Sequence, residues 1–413
     1  MLIRALLLVT GKSLRQHRLA GRITSFSIAL ASALILTVTS LQLQTVRVLT
    51  SQTGGFEAVL GARGSALQLV LSSLYHLENS PGNLEWEKYV AISHEPSVRV
   101  AIPIALGDNY LGFRIVGTLP EFFSAWGGGL RFQQGQAFAD RGQAVLGSWV
   151  AQKTGLKLGD SFHPYHGLNY DPAAQHSEVY RVVGILNPTN SPQDRVILIP
   201  LEGVYRMSGH VLRGHGREYQ PQPGQAIPLQ DQEVSGVLLK LRSPQAGMQL
   251  DQLINRQGKE ATLAWPVARV VSELFAKVGW VLKLMQLTTL LVLLVAAASI
   301  TASLCNTLQE RRREFAILRA LGARRWFVAG VVCLESVYIS LQGALWGLLL
   351  HLLMMLAVCN WLRAQTGIQF EVWQAHPVLF WVPAGCLGLG LLAGLLPTWM
   401  VYRRNLAPDL SSI

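Results

Sequence analysis

Residues 23–46 read ITSFSIALASALILTVTSLQLQTV, an uncharged run of 24 residues between Arg22 and Arg47. A helix needs about 20 residues, at 1.5 Å each, to cross the roughly 30 Å hydrocarbon core of a bilayer. The run therefore predicts a transmembrane helix. The apolar part of a cleaved signal peptide is shorter, about 7–15 residues, with the cleavage site at its far end. We therefore expect an uncleaved membrane anchor.

Three further uncharged runs are long enough to span, at residues 284–309, 336–362 and 372–402. Between the first and second runs lies a long stretch, residues 47–277, of ordinary soluble composition. The whole chain is 50% apolar and 14% charged, with a mean hydropathy of +0.30, whereas soluble proteins carry about 25% charge. We predict an α-helical membrane protein with four transmembrane helices and a large domain between helices 1 and 2.

This organisation divides the chain into nine segments. They are a cytoplasmic amphipathic helix, transmembrane helix 1, the outward domain with its stalk helix, helix 2, a cytoplasmic coupling loop, helix 3, a short outer loop, helix 4 and a tail. In that order they are residues 1–22, 23–46, 47–278 with the stalk helix at 266–283, 284–305, 306–326, 327–359, 360–377, 378–402 and 403–413.

The net charge of +11 is segregated along the chain. Residues 1–22, the loop between the second and third spans, and the tail together carry +10 of it. Because short basic segments stay in the cytoplasm, we expect both termini inside, the large domain in the periplasm, and a multi-pass location in the bacterial inner membrane. The domain itself has nearly equal numbers of acidic and basic residues, which argues against nucleic acid as a partner.

The outward domain reads as mixed α and β, in two lobes. Strand-like runs bounded by turn residues occur at 98–104, 112–116, 180–186 and 196–200, and a strand, helix and strand follow at 234–241, 246–255 and 260–264. Residues 126–129 and 206–236 are predicted loops. The four cysteines all lie in or beside the spans. A domain of this size can be stabilised by its own core without disulfides.

A helix is predicted where the domain returns to the membrane, with Pro266 in its first turn. Its apolar residues recur at helical spacing on one face, at Val267, Val270, Val271, Leu274, Phe275 and Val278. No proline interrupts the chain from there to Gln309. A continuous helix of that length would extend about 66 Å, so part of it should stand above the membrane as a stalk.

Catalytic signatures are missing from the sequence, which contains no HExxH, no GxSxG and no acidic metal cluster near the spans. Gly11-Lys12-Ser13 resembles the end of a phosphate-binding loop, but the glycine that the motif requires is replaced by Leu6. We therefore expect no ATPase activity and no bound metal. Seven of the ten histidines lie in the outward domain, so a zinc uptake or sensing subunit remains an alternative, as does a membrane-anchored receptor.

The most informative segment follows the second span: residues 306–327 read NTLQERRREFAILRALGARRWF. This pattern predicts a short amphipathic helix that ends at Gly322 and presents charged residues beneath the membrane, namely Glu310, Arg311, Arg313, Glu314 and Arg319. Basic residues alone would suit anionic lipid. The acidic residues at both ends of the arginine triplet favour a protein contact instead.

With these features the chain resembles the FtsX-like permease family, the MacB-, LolC- and LolE-type membrane subunits of ABC transporters. The order of the spans and the run from Glu310 through Arg319 to Gly322 and Ala323 carry the resemblance. Residues 145–160 also resemble a recurring segment of these permeases, and Glu335 stands where they often have a glutamate. We expect Glu335 to make a helix-packing or coupling contact.

The resemblance implies mechanotransmission, in which ATP-driven closure of two cytoplasmic ATPase subunits moves the outward domain through the stalk. ATP–Mg would bind to the ATPase, and this non-catalytic subunit would hold no cofactor. A second permease, identical or homologous, completes the assembly within membrane lipid, and a periplasmic partner or substrate-binding protein could join it. The implied coupling residues are Glu310, Arg311, Arg313, Glu314, Arg319, Gly322 and Ala323.

Overall fold

The structure is a computed structural model of the 413-residue chain. It describes residues 2–16, 18–51, 53–165, 176–207, 211–214, 216–222, 225–277, 279–280, 283–284, 287–288, 290–292, 294–295, 297–298, 301–302, 317, 323–366, 370–373 and 375–403. Two compact units are present. We call residues 1–45, 279–362 and 370–413 the membrane unit and residues 46–278 and 363–369 the outer domain, after the locations that the sequence predicts for them.

Long helices make up the described part of the membrane unit. They are α1 (Leu2–Gln16) and α2 (Arg18–Ser51), the second of which continues into the outer domain, then α10 (Arg325–Thr366) and α11 (Val378–Arg403). Among the described residues, two segments are long and apolar enough to cross a bilayer, Gly21–Thr45 and Trp326–Ala364, and Val378–Leu392 is a shorter apolar helix. Span 284–305 falls largely outside the described residues. The prediction of four spans therefore stays a prediction.

The outer domain is a mixed α/β structure, as predicted. Its strands are β1 (Ala58–Ala62), β2 (Leu84–Glu85), β3 (Val98–Tyr110), β4 (Phe113–Thr118), β5 (Phe132–Gly135), β6 (Gln143–Leu146), β7 (Ser161–Phe162), β8 (Tyr180–Leu186), β9 (Val196–Pro200), β10 (Glu233–Val234), β11 (Gly236–Leu241) and β12 (Ala261–Ala264). Its helices are α3 (Ala66–Ser73), α4 (Trp86–Ser93), α5 (Glu121–Ala125), α6 (Ser148–Thr154), α7 (Leu201–Tyr205), α8 (Pro244–Asp251) and α9 (Val267–Lys277).

One ten-stranded sheet runs through the domain in the order β12-β1-β11-β3-β4-β9-β6-β8-β5, with β7 paired to β8. The two predicted lobes therefore share a single sheet. The reason is the length of β3: Val98 to Ile104 pairs with β11, and Ala105 to Tyr110 pairs with β4. The strand predicted at 98–104 was only its first half.

Both faces of the sheet are buried. Neighbouring residues on the central strands alternate between two hydrophobic clusters: Ile115 and Ile197 belong to one, Val116 and Leu198 to the other. Successive side chains of a strand point to opposite faces, so each central strand contributes to two cores. This explains why these strands read as continuous apolar runs in the sequence.

The outer edge of the sheet is closed by a side chain. Asn255 lies in the π-helical turn Gln252–Gln257 that continues α8. Its amide oxygen accepts a hydrogen bond from the Leu263 N–H at 2.9 Å, and its amide nitrogen donates to the Leu263 carbonyl at 2.8 Å. The amide thus acts as a neighbouring strand would, which protects edge strand β12 from pairing with another chain.

Small residues bring the membrane helices together. A Cβ built on Gly343 of α10 would lie 2.7 Å from the Ile28 Cβ and 2.9 Å from the Ser25 carbonyl oxygen of α2. One turn later, a Cβ on Gly347 would lie 1.8 Å from the Ser32 hydroxyl. Without a hydrophobic driving force between helices in lipid, close backbone approach of this kind stabilises their packing.

Replacing Gly343 with alanine should destabilise the membrane unit by about 1–3 kcal/mol, because the added methyl group overlaps fixed atoms of α2. We expect a lower melting temperature of the detergent-purified chain. Gly388→Ala on α11 is the matched control, since a Cβ there meets nothing within 4 Å. Equal melting temperatures for the two variants would show that α2 and α10 do not pack at Gly343.

Candidate functional site

The stalk prediction concerns helix α9, which begins at Val267, directly after the edge strand β12. Val267 and Val271 are only 1% and 3% exposed and belong to one of the two domain cores, against which Val270 is also packed. The first three positions of the predicted apolar face therefore pack into the domain core, and their role in a stalk stays a prediction. The side chains of Leu274 and Phe275, and all of Val278, lie outside the described residues.

A backbone hydrogen bond fixes the start of α9. The Val267 N–H donates to the Glu57 carbonyl at 2.9 Å, and Glu57 immediately precedes β1. The Glu57 carboxylate in turn accepts from the Leu241 N–H at 2.8 Å, and the Glu57 N–H donates to the Leu239 carbonyl at 3.0 Å. The segment that follows α2 and the segment that leaves through α9 are therefore joined at one end of the sheet.

Aromatic residues fill the core around this junction. The Trp126 ring lies 5.8 Å from that of Phe56 and 5.5 Å from that of Phe122, centroid to centroid. Together with Val267 and Val271, these three residues form what we call the base cluster. Trp126 presses so closely on Gly54 that a Cβ there would lie 2.4 Å from its ring. The buried face of α9 and these aromatic rings therefore belong to the same hydrophobic core.

Sequence reasoning missed two members of this junction, Glu57 and Trp126. Residues 126–129 were predicted only as a loop, which is correct, but Trp126 is 5% exposed and packs inside the domain. The signal was present in the three glycines that follow it, which adopt φ values of 50°, 93° and 106°. Such conformations fold the loop back on itself and let the tryptophan point inward. Glu57 carried no comparable signal.

The predicted coupling residues Glu310, Arg311, Arg313, Glu314, Arg319 and Gly322 lie outside the described residues, and Ala323 just precedes α10. A buried contact joins α1 to α10 a few residues further along the chain. The Ser13 hydroxyl donates to the Glu335 carboxylate, at 2.9 and 3.0 Å from its two oxygens. Glu335 is 4% exposed, so it makes a helix-packing contact, as expected. Ser13 belongs to the Gly11-Lys12-Ser13 segment that resembles the end of a phosphate-binding loop, and its hydroxyl is used in this contact.

The zinc alternative requires that histidines of the outer domain lie close enough together to bind a metal ion. His176 binds the Asp108 carboxylate beneath the tip of the β3–β4 hairpin, where both side chains are largely buried. Within the described part of the chain, no group of three or more histidine, cysteine, aspartate or glutamate side chains could hold a metal ion. His166, His210 and His215 lie outside it.

His76 is a half-buried histidine in the positive-φ region, at φ 56°, shortly after α3. The Gln193 amide nitrogen lies 3.2 Å from His76 Nε2 and donates to it, which requires a neutral ring. Burial, reinforced by the nearby Arg114 guanidinium, lowers the pKa of His76 to about 3. The ordinary pKa of an unfolded histidine is about 6.5.

Below pH 6.5 His76 is therefore protonated in the unfolded chain but stays neutral in the folded domain. Stability conferred by the neutral ring is present above pH 6.5 and is lost as the pH falls toward 3, by about 1.4 kcal/mol per pH unit. We expect the urea midpoint of the outer domain's tryptophan fluorescence to fall between pH 6.5 and 5.

His76→Asn should remove much of this pH dependence, because asparagine tolerates positive φ and does not titrate. His94→Asn is the control, since His94 is exposed at the end of α4. A slope that is the same in both variants would assign the acid sensitivity to other groups.

Comparison with known proteins matches part of the chain to a protein family and to a relative. Residues 287–406 match the family described as FtsX-like permease C-terminal. The lipoprotein-releasing system transmembrane protein LolE of Haemophilus influenzae is 22% identical over 297 residues. That match covers 67% of this chain and 66% of the relative, slightly under two thirds of its length.

Two solved structures align with part of the chain, both at 13% identity. The periplasmic region of MacB from Actinobacillus actinomycetemcomitans aligns with a TM-score of 0.32 over 57% of this chain and 97% of its own. The extracellular domain of the noncanonic ABC-type transporter YknZ from Gram-positive bacteria aligns with a TM-score of 0.30 over 50% of this chain and 97% of its own. At these scores the assignment depends on the sequence matches.

The match over residues 287–406 and the apolar helices of the membrane unit are similar to those of a membrane permease. Over these residues the chain is similar to the FtsX-like permease family, which confirms the resemblance seen in the sequence.

Proposed function

We propose that this chain is the permease subunit that couples ATP hydrolysis by a separate cytoplasmic ATPase to movement of the outer domain, and so drives export or release of a substrate at the outer face of the bacterial inner membrane. The large domain is periplasmic, and both termini are cytoplasmic. ATP–Mg binds to the ATPase, and a second permease, identical or homologous, completes the assembly.

The observation that carries this proposal is the attachment of α9 to the domain. Its first residue is bonded to the Glu57 backbone, and its buried face is part of the domain core. Ordering a connection in this way uses conformational entropy that a passive tether would keep. A stiff helical connection is what a machine needs when force must pass between the membrane and a domain outside it.

The cytoplasmic end of the mechanism is assigned to Glu310, Arg311, Arg313, Glu314, Arg319, Gly322 and Ala323. We infer that this segment docks on the ATPase, because its mixed charges suit a protein surface better than anionic lipid. The α1–α10 contact at Ser13 and Glu335 would then support the start of α10 against that load. The relative LolE is named for a lipoprotein-releasing system, so lipoprotein release is the first activity to test.

The experiment has two parts. The chain purified alone should show no ATP hydrolysis, and it should co-purify with an ATP-binding subunit from the native membrane. Reporter fusions after Val48 and Gln374 should lie outside, and fusions after Gln309 and Asn405 inside. A cytoplasmic signal from a fusion after residue 150 would contradict the proposed topology, and hydrolysis by the pure chain would contradict its non-catalytic role.

A further inference from the structure

A groove of about 420 Å³ follows the contact between α2 and α10. These helices run parallel, because Ile28 meets Gly343 and the Thr37 hydroxyl lies 3.0 Å from His351 Nδ1 further along both helices. The residues that line the groove are polar at one end and apolar along the rest of it. Its lining includes Arg22, Ser25 and Phe26 from α2, and Gln342, Trp346 and Leu353 from α10.

The polar end contains hydrogen-bond donors. Arg22 is exposed, next to the uncharged span, and Gln342 lies across from it on α10. Ser25 is only 3% exposed, and within the described residues its buried hydroxyl oxygen has no hydrogen-bond partner. Leaving a buried polar group unpaired is unfavourable by about 1–3 kcal/mol. The three side chains would suit an acceptor that carries negative charge.

The rest of the groove is apolar and open on one side. Phe26, Trp346 and Leu353 are 65%, 56% and 55% exposed. From Gln342 to Leu353 the helix rises about 16 Å, roughly half of the 30 Å hydrocarbon core. The groove thus begins at the membrane boundary marked by Arg22 and extends about one leaflet deep. An acyl chain attached to a headgroup at Arg22 would match this layout.

We propose that this groove binds one anionic phospholipid from the leaflet on the side of residues 1–22. The phosphate lies at Arg22 and accepts hydrogen bonds from the Ser25 hydroxyl and the Gln342 amide, while one acyl chain follows Phe26, Trp346 and Leu353. Basic pockets between membrane helices recognise lipid headgroups in this way. A protein helix seated along the groove would have to bring both an acidic group to Arg22 and an apolar face to Phe26 and Trp346, whereas an anionic phospholipid carries both in one molecule. The inference does not depend on coupling to an ATPase.

Fluorescence quenching by brominated lipids tests the proposal on the full-length chain in mild detergent. The chain has eleven tryptophans, so the Trp346 signal is the difference between the native chain and Trp346→Phe. Phosphatidylglycerol with brominated acyl chains should quench this signal at lower concentration than brominated phosphatidylcholine does. Unlabelled phosphatidylglycerol should compete, whereas inorganic phosphate should not.

Two variants and a matched control locate the site. Arg22→Gln should weaken phosphatidylglycerol binding about fivefold and abolish the preference over phosphatidylcholine. Ser25→Ala should weaken binding about fivefold, because one hydrogen bond is lost. Arg18→Gln removes a nearby exposed charge that does not line the groove, and it should leave both affinities unchanged.

Three results would overturn the proposal. The first is equal affinity for the two lipids, and the second is an Arg18→Gln effect as large as that of Arg22→Gln, which would indicate general surface attraction. The third comes from a photoreactive residue at position 346 in native membranes: an adduct with protein, from this chain or another copy, instead of lipid would show that a helix occupies the groove. A lipid adduct would support the site.

Discussion

Inserting two glycines after Lys277 should abolish ATP-dependent movement of the outer domain while the transporter still assembles. Each glycine disfavours the helix by about 1 kcal/mol, and each inserted residue rotates everything beyond it by about 100°. Two residues therefore turn the stalk by about 200°, nearly to its opposite face. The base cluster lies before the insertion, so the domain should keep its fold. The measurement is ATP-dependent hydrogen exchange in strands β3 and β11.

A second insertion, which keeps the helical register of the stalk, tests whether a change in stalk length alone affects movement. Seven helix-forming residues, rich in alanine, rotate the stalk by about 700°, which leaves it within about 20° of its original phase. We expect this variant to retain ATP-dependent movement. Movement that survives the two-glycine insertion would defeat the mechanical proposal. Loss of movement in both variants would mean that the domain's height matters rather than the helix register.

Reversing the charges at Glu314 and Arg319 should reduce association with the ATPase at least about thirtyfold. Charged partners at a buried interface contribute about 2–5 kcal/mol when one of them is lost, and every 1.4 kcal/mol is a factor of ten. We would measure co-purification and the affinity of the purified subunits for each other. Coupled transport should fall with association, since the ATPase supplies the driving force in the proposed mechanism.

The control for that experiment is Arg363→Glu, which reverses an exposed charge near the other end of α10. It should leave the affinity for the ATPase unchanged. If the double reversal at Glu314 and Arg319 also leaves the affinity unchanged, the docking surface lies elsewhere. In that case the function of the outer domain and its stalk would still be open to the insertion test.

Part of the fold could be predicted because it depends on local patterns. The bounds of β8 and β9 were predicted correctly as Tyr180–Leu186 and Val196–Pro200, since turn residues flank both apolar runs. The start of α9 followed from Pro266 and the valine spacing. Helix α8 begins two residues before the predicted position because the Ser243 hydroxyl caps it, accepting from the Ala246 N–H at 3.2 Å with Pro244 in the first turn. That signal was available in the sequence.

Other features depended on partners distant in the chain. The second half of β3 has no apolar strand pattern in the sequence, because residues 107–110 are Gly, Asp, Asn and Tyr. It forms because β4 supplies its hydrogen bonds. The role of Asn255 as a substitute strand for Leu263 could not be deduced from an isolated asparagine near a helix end. Strand extension and edge capping are decided by which backbone groups remain unpaired after folding.

The sequence by itself determined the apolar segments of the membrane unit and the amphipathic face of α9, because hydrophobic length and helical period are properties of consecutive residues. It also carried the family resemblance, through the order of spans and the charged segment from Glu310 to Ala323. Only the tertiary structure decided that one sheet joins both halves of the outer domain, that Glu57 anchors the start of α9 while Trp126 packs in the same core, and that Ser13 pairs with Glu335 across 322 residues. The physical reason is that packing and hydrogen-bond partners are chosen by proximity in space, which a local pattern does not encode.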